Sequence, residues 1–322
     1  MSGNLAASSE RVIEATGLQR HFGDVVAVAG IDLAVARGEV FGFLGPNGAG
    51  KSTTVRMLTT LLRPTGGSAR IDGHDVVGAA AAVRRIIGVA LQDAAIDPLM
   101  TGNELLRLQA VLHGIPRAVA RTRGPELLER VGLTAAADRR VGTYSGGMRR
   151  RLDLALSLVH EPRILFLDEP TTGLDPTSRL SLWEEVRRLN RESGTTVFLT
   201  TQYLEEADEL AGRIAIIDDG RLVREGSPEA LKSTVGSPTL RVDVDPADLD
   251  ATSGVLAAFG PERPAREGRA AIGLEGGAAR VAEVVRALDE AGVVVGHLEL
   301  DAPSLDDVFA DATGRRLEGA EE

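Results

Sequence analysis

A glycine-rich segment early in the chain has the residue types and spacing of a phosphate-binding loop. Residues 45–52 read Gly-Pro-Asn-Gly-Ala-Gly-Lys-Ser and fit the pattern G-x-x-x-x-G-K-[ST]. Glycines let the backbone wrap closely around a phosphate and turn its N–H groups inward, and a helix N-terminus adds a favourable dipole. Lys51 is expected to reach the β and γ phosphates, and Ser52 to ligate Mg²⁺. The alternative is a chance glycine-rich turn.

The candidate nucleotide-binding residues of this loop are Gly45, Pro46, Asn47, Gly48, Ala49, Gly50, Lys51, Ser52 and Thr53.

Two adjacent carboxylates, Asp168 and Glu169, follow the apolar run Ile164–Leu167. In a protein with a phosphate-binding loop, an acid at a strand end beside that loop serves Mg²⁺, which fits Asp168 acting through a water. Glu169 is one residue further on and points elsewhere, so it is the candidate general base for the attacking water. Two surface acids at a strand end are the alternative, but beside the loop the pair predicts nucleotide hydrolysis.

Strand-like and helix-like segments alternate in the part of the chain that carries these residues. Val40–Leu44 predicts a buried strand before the loop, and Lys51–Leu62 predicts a helix after it. Further strands are predicted at 86–91, 164–167, 195–201 and 214–218, with a helix at 203–210. Strands that alternate with helices predict an α/β fold with a mostly parallel sheet and helices on its faces.

The pattern predicts two folded domains. Residues 12–235 form the nucleotide-binding domain, with a helical subdomain inserted at about 93–160. Residues 239–312 alternate strands and helices in the order of a small α+β sandwich, without a catalytic cluster, for which we expect a regulatory or dimer-stabilising role. Residues 1–11 are predicted to be a disordered leader and 313–322 an acidic tail.

Composition excludes several classes of function. The net charge of −11 argues against a nucleic-acid binder, and the absence of cysteine excludes disulfides, thiolate metal sites and a cysteine nucleophile. His74, His113 and His160 have no metal-binding spacing and are expected at the surface or at helix ends. No apolar run approaches the roughly 20 residues that cross a bilayer, so a role at a membrane requires a partner chain.

A third motif is more specific for one protein family than the loop and the carboxylate pair are. Tyr144-Ser145-Gly146-Gly147-Met148-Arg149 resembles the signature of ABC nucleotide-binding domains, and residues 12–235 look like one complete domain of that family. Ser145, Gly146 and Gly147 open a helix, so bare N–H groups and a positive dipole end face outward. The resemblance implies that this second anion site meets ATP held by another copy of the domain.

The resemblance implies further site residues at matching positions. Phe22 falls where the family stacks an aromatic on adenine, although a core aromatic is the alternative. Gln92 matches the Q-loop glutamine that contacts Mg²⁺ and the membrane partner, although an exposed loop residue is the alternative. Asp175 lies in Gly173–Pro176, which matches the D-loop. Trp183, on the following helix, is interpreted as a packing residue.

Two departures from the family pattern also point to a subfamily. Tyr144 and Met148 flank the signature core, and Gln202 stands where relatives usually carry a histidine; an amide can donate to the γ-phosphate but does not titrate near neutral pH. The segments around these residues, together with Pro303–Phe309, resemble the daunorubicin/doxorubicin resistance ATPases. With Gln202 at the γ-phosphate and Glu169 as the general base for water, these two are the candidate catalytic residues.

The subfamily resemblance implies a motor with ATP and Mg²⁺ as cofactors. Its partners would be a separate integral membrane permease and a second copy of the chain, at the cytoplasmic face of the cell membrane, with no nucleic acid. Export of a drug, an antibiotic or another hydrophobic small molecule is implied by the subfamily alone, and import is a variant. The alternatives are a soluble ABC ATPase acting on ribosomes, DNA or a scaffold, and a different nucleotide hydrolase such as a GTPase. No Asn-Lys-x-Asp guanine motif supports the latter.

Overall fold

The computed structural model describes residues 10–91, 96–263 and 268–315, which divide into two compact units with the boundary between Ser227 and Pro228. The first unit contains, in chain order, β1 (Arg11–Phe22), β2 (Val25–Ala36), β3 (Val40–Leu44), α1 (Lys51–Leu58), β4 (Gly66–Ile71), β5 (His74–Asp75), α2 (Ala80–Ile86), β6 (Ile87–Ala90), α3 (Gly102–Leu112), α4 (Arg117–Arg130), α5 (Gly146–Ser157), β7 (Ile164–Asp168), α6 (Pro176–Ser193), β8 (Thr196–Thr201), α7 (Leu204–Leu210), β9 (Arg213–Asp218) and β10 (Arg221–Gly226).

The central sheet of the first unit has six strands in the order β10-β9-β3-β8-β7-β6. All neighbours pair in parallel except β10, which runs antiparallel to β9. The inner strands are apolar runs because both faces of the sheet are covered. Phe41, Phe43 and Phe166 pack around Phe198 with ring centroids 5.5–5.6 Å apart. The parallel register brings the ends of β3, β7 and β8 to one edge, where the predicted site residues lie.

A second, antiparallel sheet of the first unit has the order β2-β1-β4-β5. Two predictions about this region need correction. The first strand begins at Arg11, which the sequence pattern assigns to the leader; residues 1–9 of that leader lie outside the described residues. The helix predicted at 51–62 ends at Leu58, because Thr60 adopts a left-handed backbone with φ 67° that no helix continues through.

The predicted helical insertion contains α3, α4 and α5. Thr101 and Glu104 form a capping box: Thr101 Oγ1 accepts from the Glu104 N–H at 3.2 Å, and Glu104 Oε2 accepts from the Thr101 N–H at 2.8 Å. This reciprocal pair satisfies two donors that a helix start leaves free, as the spacing predicts. Leucines on the three helices, such as Leu106, Leu128 and Leu152, share one buried apolar cluster.

The second unit contains α8 (Pro228–Ser233), β11 (Thr239–Asp243), α9 (Leu249–Leu256), β12 (Arg269–Gly273), α10 (Val281–Glu290), β13 (His297–Asp301) and α11 (Leu305–Thr313). Its antiparallel sheet has the order β12-β11-β13. Leu240 and Val242 of β11 face a core that includes Leu256 of α9 and Leu288 of α10. This agrees with the predicted α+β class, because alternate residues of β11 are buried.

The boundaries of the second unit differ from the predicted ones. Residues 228–235 were predicted to close the first domain, but α8 belongs to the second unit, where it contacts α11. Thr313 was predicted to begin the tail but ends α11, and residues 316–322 of the predicted tail lie outside the described residues. Among the described helices, none is long and apolar enough to span a membrane.

Candidate active site

The predicted phosphate-binding loop leaves the buried strand β3 and enters α1, as the motif requires. Its glycines meet a specific steric demand: a Cβ on Gly45 would lie 2.3 Å from the Ile217 carbonyl oxygen, and one on Gly50 would lie 2.5 Å from that of Ala27. Gly50 also has φ 103°, which side-chain-bearing residues rarely adopt. The loop can therefore follow this close path only with glycine at both positions.

A small cavity of about 230 Å³ lies over the loop and the start of α1. It is lined by Ala27, Asn47, Gly48, Gly50, Lys51, Ser52, Thr53 and Glu169. The structure thus brings most of the predicted loop residues together with one of the two predicted carboxylates. Asn47 and Gly48 are exposed at its rim, whereas Lys51 is only 4% exposed.

Lys51 lies folded against its own loop. Its Nζ donates to the carbonyl oxygens of Gly45 at 2.7 Å and Pro46 at 3.0 Å, and it lies 3.2 Å from Glu169 Oε1. Burial lowers the pKa of Lys51 below its ordinary value, while the nearby Glu169 carboxylate opposes that shift. The buried cation is thus held at the loop by two carbonyl oxygens and one carboxylate.

Asp168 ends β7 beside the loop, as predicted. Its Oδ1 accepts from Ser52 Oγ at 3.1 Å and from Thr200 Oγ1 at 2.6 Å, and the residue is 1% exposed. A hydroxyl and a carboxylate oxygen are the donor set that Mg²⁺ takes from proteins, with the remaining positions filled by water and phosphate oxygens. Ser52 and Asp168 therefore fit a magnesium site.

Thr200 is a residue of the site that the sequence did not predict. Besides its bond to Asp168, its Oγ1 accepts from the Glu169 N–H at 3.0 Å, and its carbonyl oxygen lies 3.1 Å from the same nitrogen. Thr200 pairs with Asp168 across the parallel strands β7 and β8, 32 positions apart in sequence. The available signal was a threonine near the end of a predicted neighbouring strand.

Glu169 adopts φ 49°, the left-handed region that non-glycine residues rarely occupy. This turn directs its side chain to Lys51, while Thr172 Oγ1 donates to Glu169 Oε2 at 3.3 Å. Backbone strain of this kind persists only where the surroundings hold it, and it concentrates at functional sites. The left-handed backbone at Glu169 is therefore the reason that its side chain points in a different direction from that of Asp168.

The signature residues begin α5, as predicted. Ser145 caps the helix by accepting from the Met148 N–H at 3.2 Å, and both Ser145 and Gly146 are exposed. Neither these two residues nor Gly147 lines the cavity over the loop. Tyr144, at the departure from the family pattern, is buried, and its hydroxyl donates to the Ala136 carbonyl oxygen at 2.6 Å. The tyrosine therefore fixes the segment before α5 from inside the helical insertion.

Asp175 also lies away from the cavity within one chain. It caps α6, where Oδ2 accepts from the Ser178 N–H at 3.0 Å and Oδ1 from Ser178 Oγ at 2.7 Å; these bonds lower the pKa of its carboxyl. Trp183, further along α6, is 2% exposed and donates from Nε1 to Glu206 at 3.1 Å, in agreement with a packing role.

The remaining predicted residues have different outcomes. Phe22 is 46% exposed under the Arg20 guanidinium, 4.4 Å from the ring centroid, so it is not a core aromatic. Gln202 directly follows β8 and is half-buried. Gln92 lies outside the described residues. His113 and His160 stack with ring centroids 3.8 Å apart, where burial lowers the pKa of both.

Comparisons with known proteins agree with these features. The ABC transporter family model matches residues 28–172, and the model of the ATP-binding protein DrrA1-3-like C-terminal domain matches residues 226–313. The daunorubicin resistance ATP-binding protein DrrA2 of Streptomyces coeruleorubidus is 47% identical over 96% of this chain and 97% of its own length. The Nod factor export ATP-binding protein I of Ralstonia nicotianae is 38% identical, with 96% of each chain covered.

Solved structures share the fold of about two thirds of the chain. The cbiO1 subunit of an ABC transporter complex from Clostridium perfringens has a TM-score of 0.64 and 27% identity, covering 70% of this chain and 91% of that one. A dimeric ATP-binding cassette bound to ADP and Pi has a TM-score of 0.62 and 27% identity, covering 67% of this chain and 98% of that one. The chain therefore belongs to the ATP-binding subunits of ABC transporters, among the daunorubicin/doxorubicin resistance ATPases, and is an ATPase.

Proposed function

We propose that this ATPase is the motor of an exporter for drugs, antibiotics or other hydrophobic small molecules. The carrying observation is similarity along 96% of the chain to a daunorubicin resistance ATP-binding protein, which extends through the second unit. The motor works with a separate integral membrane permease, at the cytoplasmic face of the cell membrane. The permease holds the path of the transported molecule, so the substrate's identity resides in that partner.

In this proposal the loop residues and Lys51 bind the β and γ phosphates of ATP. Ser52 and Asp168 hold Mg²⁺, which neutralises developing charge on the phosphates when bound. Glu169 orients and deprotonates the attacking water, because its carboxylate lines the cavity over the phosphate-binding loop. The family resemblance assigns the remaining roles: Gln202 would donate to the γ-phosphate, and Gln92 would be a further ligand of Mg²⁺. Phe22 would stack on adenine from its exposed position at the end of β1.

A second copy of the chain completes each site. Ser145, Gly146 and Gly147 present the start of a helix to solvent, yet they lie outside the cavity that contains Lys51 of the same chain. A partner in antiparallel arrangement brings this helix start, and Asp175 beside it, to the γ-phosphate held by the other loop. A dimeric cassette bound to ADP and Pi, 27% identical to this chain, supports the pairing of two copies.

The test is purification of the Glu169→Gln variant from native membranes in ATP and Mg²⁺, followed by identification of the proteins that accompany it. Removal of the base traps the closed ATP-bound dimer, which retains weakly bound partners. A multi-span membrane protein in stoichiometric amount is the expected result. Glu161→Gln, at an exposed position remote from the loop, is the matched control and retains less of that partner. Recovery of ribosomes or soluble proteins alone would leave the ATPase assignment intact and refute the transport role.

A further inference from the structure

An arginine of the signature helix contacts the backbone on both sides of the candidate base. Arg150 of α5 donates from Nε to the Pro170 carbonyl oxygen at 3.0 Å and from Nη2 to the Asp168 carbonyl oxygen. These are the residues that precede and follow Glu169. One guanidinium group therefore holds the carbonyl groups of the residues immediately before and after Glu169, which has the left-handed backbone.

The same guanidinium reaches a second strand end. Its Nη1 donates to the carbonyl oxygen of Leu91, the residue after β6, at 2.6 Å. The side chain is 12% exposed, and the Asp153 carboxylate lies 3.6 Å from Nη1 as its nearest counter-charge. Three backbone acceptors in different directions need the planar fork of a guanidinium group, which a lysine ammonium group does not reproduce.

The opposite side of Glu169 is also held. Its N–H points to Thr200, with the threonine carbonyl oxygen and Oγ1 at 3.1 and 3.0 Å. Arg150 and Thr200 thus restrain the Glu169 backbone from two directions, and they belong to elements separated widely in sequence. Rare backbone conformations persist where surrounding contacts over-determine them, and Arg150 supplies two such contacts beside Glu169.

We propose that Arg150 is a positioning residue that keeps Glu169 in its hydrolytic orientation and couples that orientation to the signature helix. Movement of α5 displaces Arg150, which shifts the carbonyl groups around Glu169 and the end of β6 together. This role rests on the proposed function of Glu169 as the general base. Arg150 itself does not touch the reacting atoms.

The test compares Arg150→Lys with the wild type and repeats the substitution in the Glu169→Gln background. The full-length chain is assayed for ATP hydrolysis, by steady state for the active forms and by single turnover for the slow ones. In the wild-type background kcat is expected to fall at least about tenfold, with KM for ATP changed by less than about twofold. In the Glu169→Gln background the same substitution is expected to cause no further loss, because two residues that act as one unit are not additive.

Arg123→Lys is the matched control, because Arg123 also donates to a backbone carbonyl oxygen, that of Val159, but remote from Glu169. Each kcat is expressed per nucleotide-binding chain, so that partial misfolding does not alter it, and Arg150→Gln provides a second variant with the same expected pattern. An equal loss in both backgrounds, or a rise in KM with unchanged kcat, would overturn the role of Arg150. A wild-type kcat in Glu169→Gln alone would instead overturn the base assignment, and the role of Arg150 with it.

Discussion

The Nζ atom of Lys51 lies 3.2 Å from Glu169 Oε1, and the two residues are 4% and 6% exposed. The cation that would meet the phosphates and the carboxylate that would activate water are thus one buried ion pair. Removal of one partner from such a pair leaves the other as an uncompensated charge. Substitutions on either side of the pair are therefore expected to change nucleotide affinity as well as hydrolysis.

The first prediction concerns Glu169→Gln. Loss of the base is expected to lower kcat by about 10²-fold or more, which is the usual contribution of general base catalysis. ATP affinity is expected to increase, because Lys51 no longer shares its charge with a carboxylate. Fluorescent-nucleotide binding and phosphate release measure the two effects separately. Unchanged hydrolysis, or a parallel loss of binding and hydrolysis, would contradict this interpretation.

The second prediction concerns Gln202, which follows the end of β8. Gln202→Ala is expected to lower kcat by about 10²-fold, because the γ-phosphate loses a preorganised hydrogen-bond donor. Gln202→His is expected to have a kcat close to that of wild type and well above that of Gln202→Ala. Its kcat is expected to depend on pH between about 6 and 8, where histidine titrates and an amide does not. Steady-state rates across this range provide the measurement. Equal rates for wild type and Gln202→Ala would refute a role for this residue.

The predicted elements agree best with the structure where burial alone determines them. The strand Val40–Leu44 matches its prediction at both ends, because a short apolar run between turns has one way to be buried in a parallel sheet. The helix predicted to reach 62 ends at Leu58, because Thr60 adopts a left-handed conformation. That conformation leaves no periodic signal in the sequence, so the predicted helix is too long. The second compact unit begins at Pro228 and not after the predicted boundary at 235, because α8 packs on α11, a contact across about 75 residues that local pattern does not contain.

The candidate site also contains residues that the sequence predicted and residues that only the structure reveals. Motif spacing predicted the loop, Asp168 and Glu169, since each is defined by neighbours within a few positions. Thr200 and Arg150 were missed because they reach the backbone and side chains of Asp168 and Glu169 only through the register of parallel strands and the packing of α5. Their residue types carry no motif of their own, so only the structure identifies them.

The third prediction concerns the pH dependence of stability at Asp153. Burial raises the pKa of this carboxyl from 3.8 to about 7, against the opposing effect of Arg150. Between these values the unfolded chain loses the proton while the folded chain keeps it. The contribution of Asp153 to stability therefore falls as pH rises from about 4 to about 7, by about 4 kcal/mol at most, and is constant above that range.

Asp153→Asn removes this titration. Its free energy of unfolding, compared with that of wild type by urea titration, is expected to gain most at neutral pH and little at pH 4. Asp24→Asn, at an exposed turn position, provides the control. A difference between wild type and Asp153→Asn that does not vary across this range would show that Asp153 ionises freely in the folded chain.

The fourth prediction separates stability from catalysis at the signature segment. Tyr144→Phe removes the hydroxyl that donates to the Ala136 carbonyl oxygen at 2.6 Å, while the Arg139 N–H still donates to that oxygen at 3.0 Å. The expected cost is that of one hydrogen bond, about 0.5–1.5 kcal/mol of unfolding free energy. Because Tyr144 packs inside the helical insertion while Ser145 and Gly146 face solvent, KM for ATP is expected to stay within about twofold of wild type.

Tyr144→Leu introduces the residue that is usual in the family and also loses the hydroxyl. The branched leucine side chain does not fill the space of the planar ring, so this variant is expected to be less stable than Tyr144→Phe. Thermal unfolding and steady-state ATPase rates on the three proteins test this order, and a change in KM without a change in stability would place Tyr144 at the nucleotide instead of in the core.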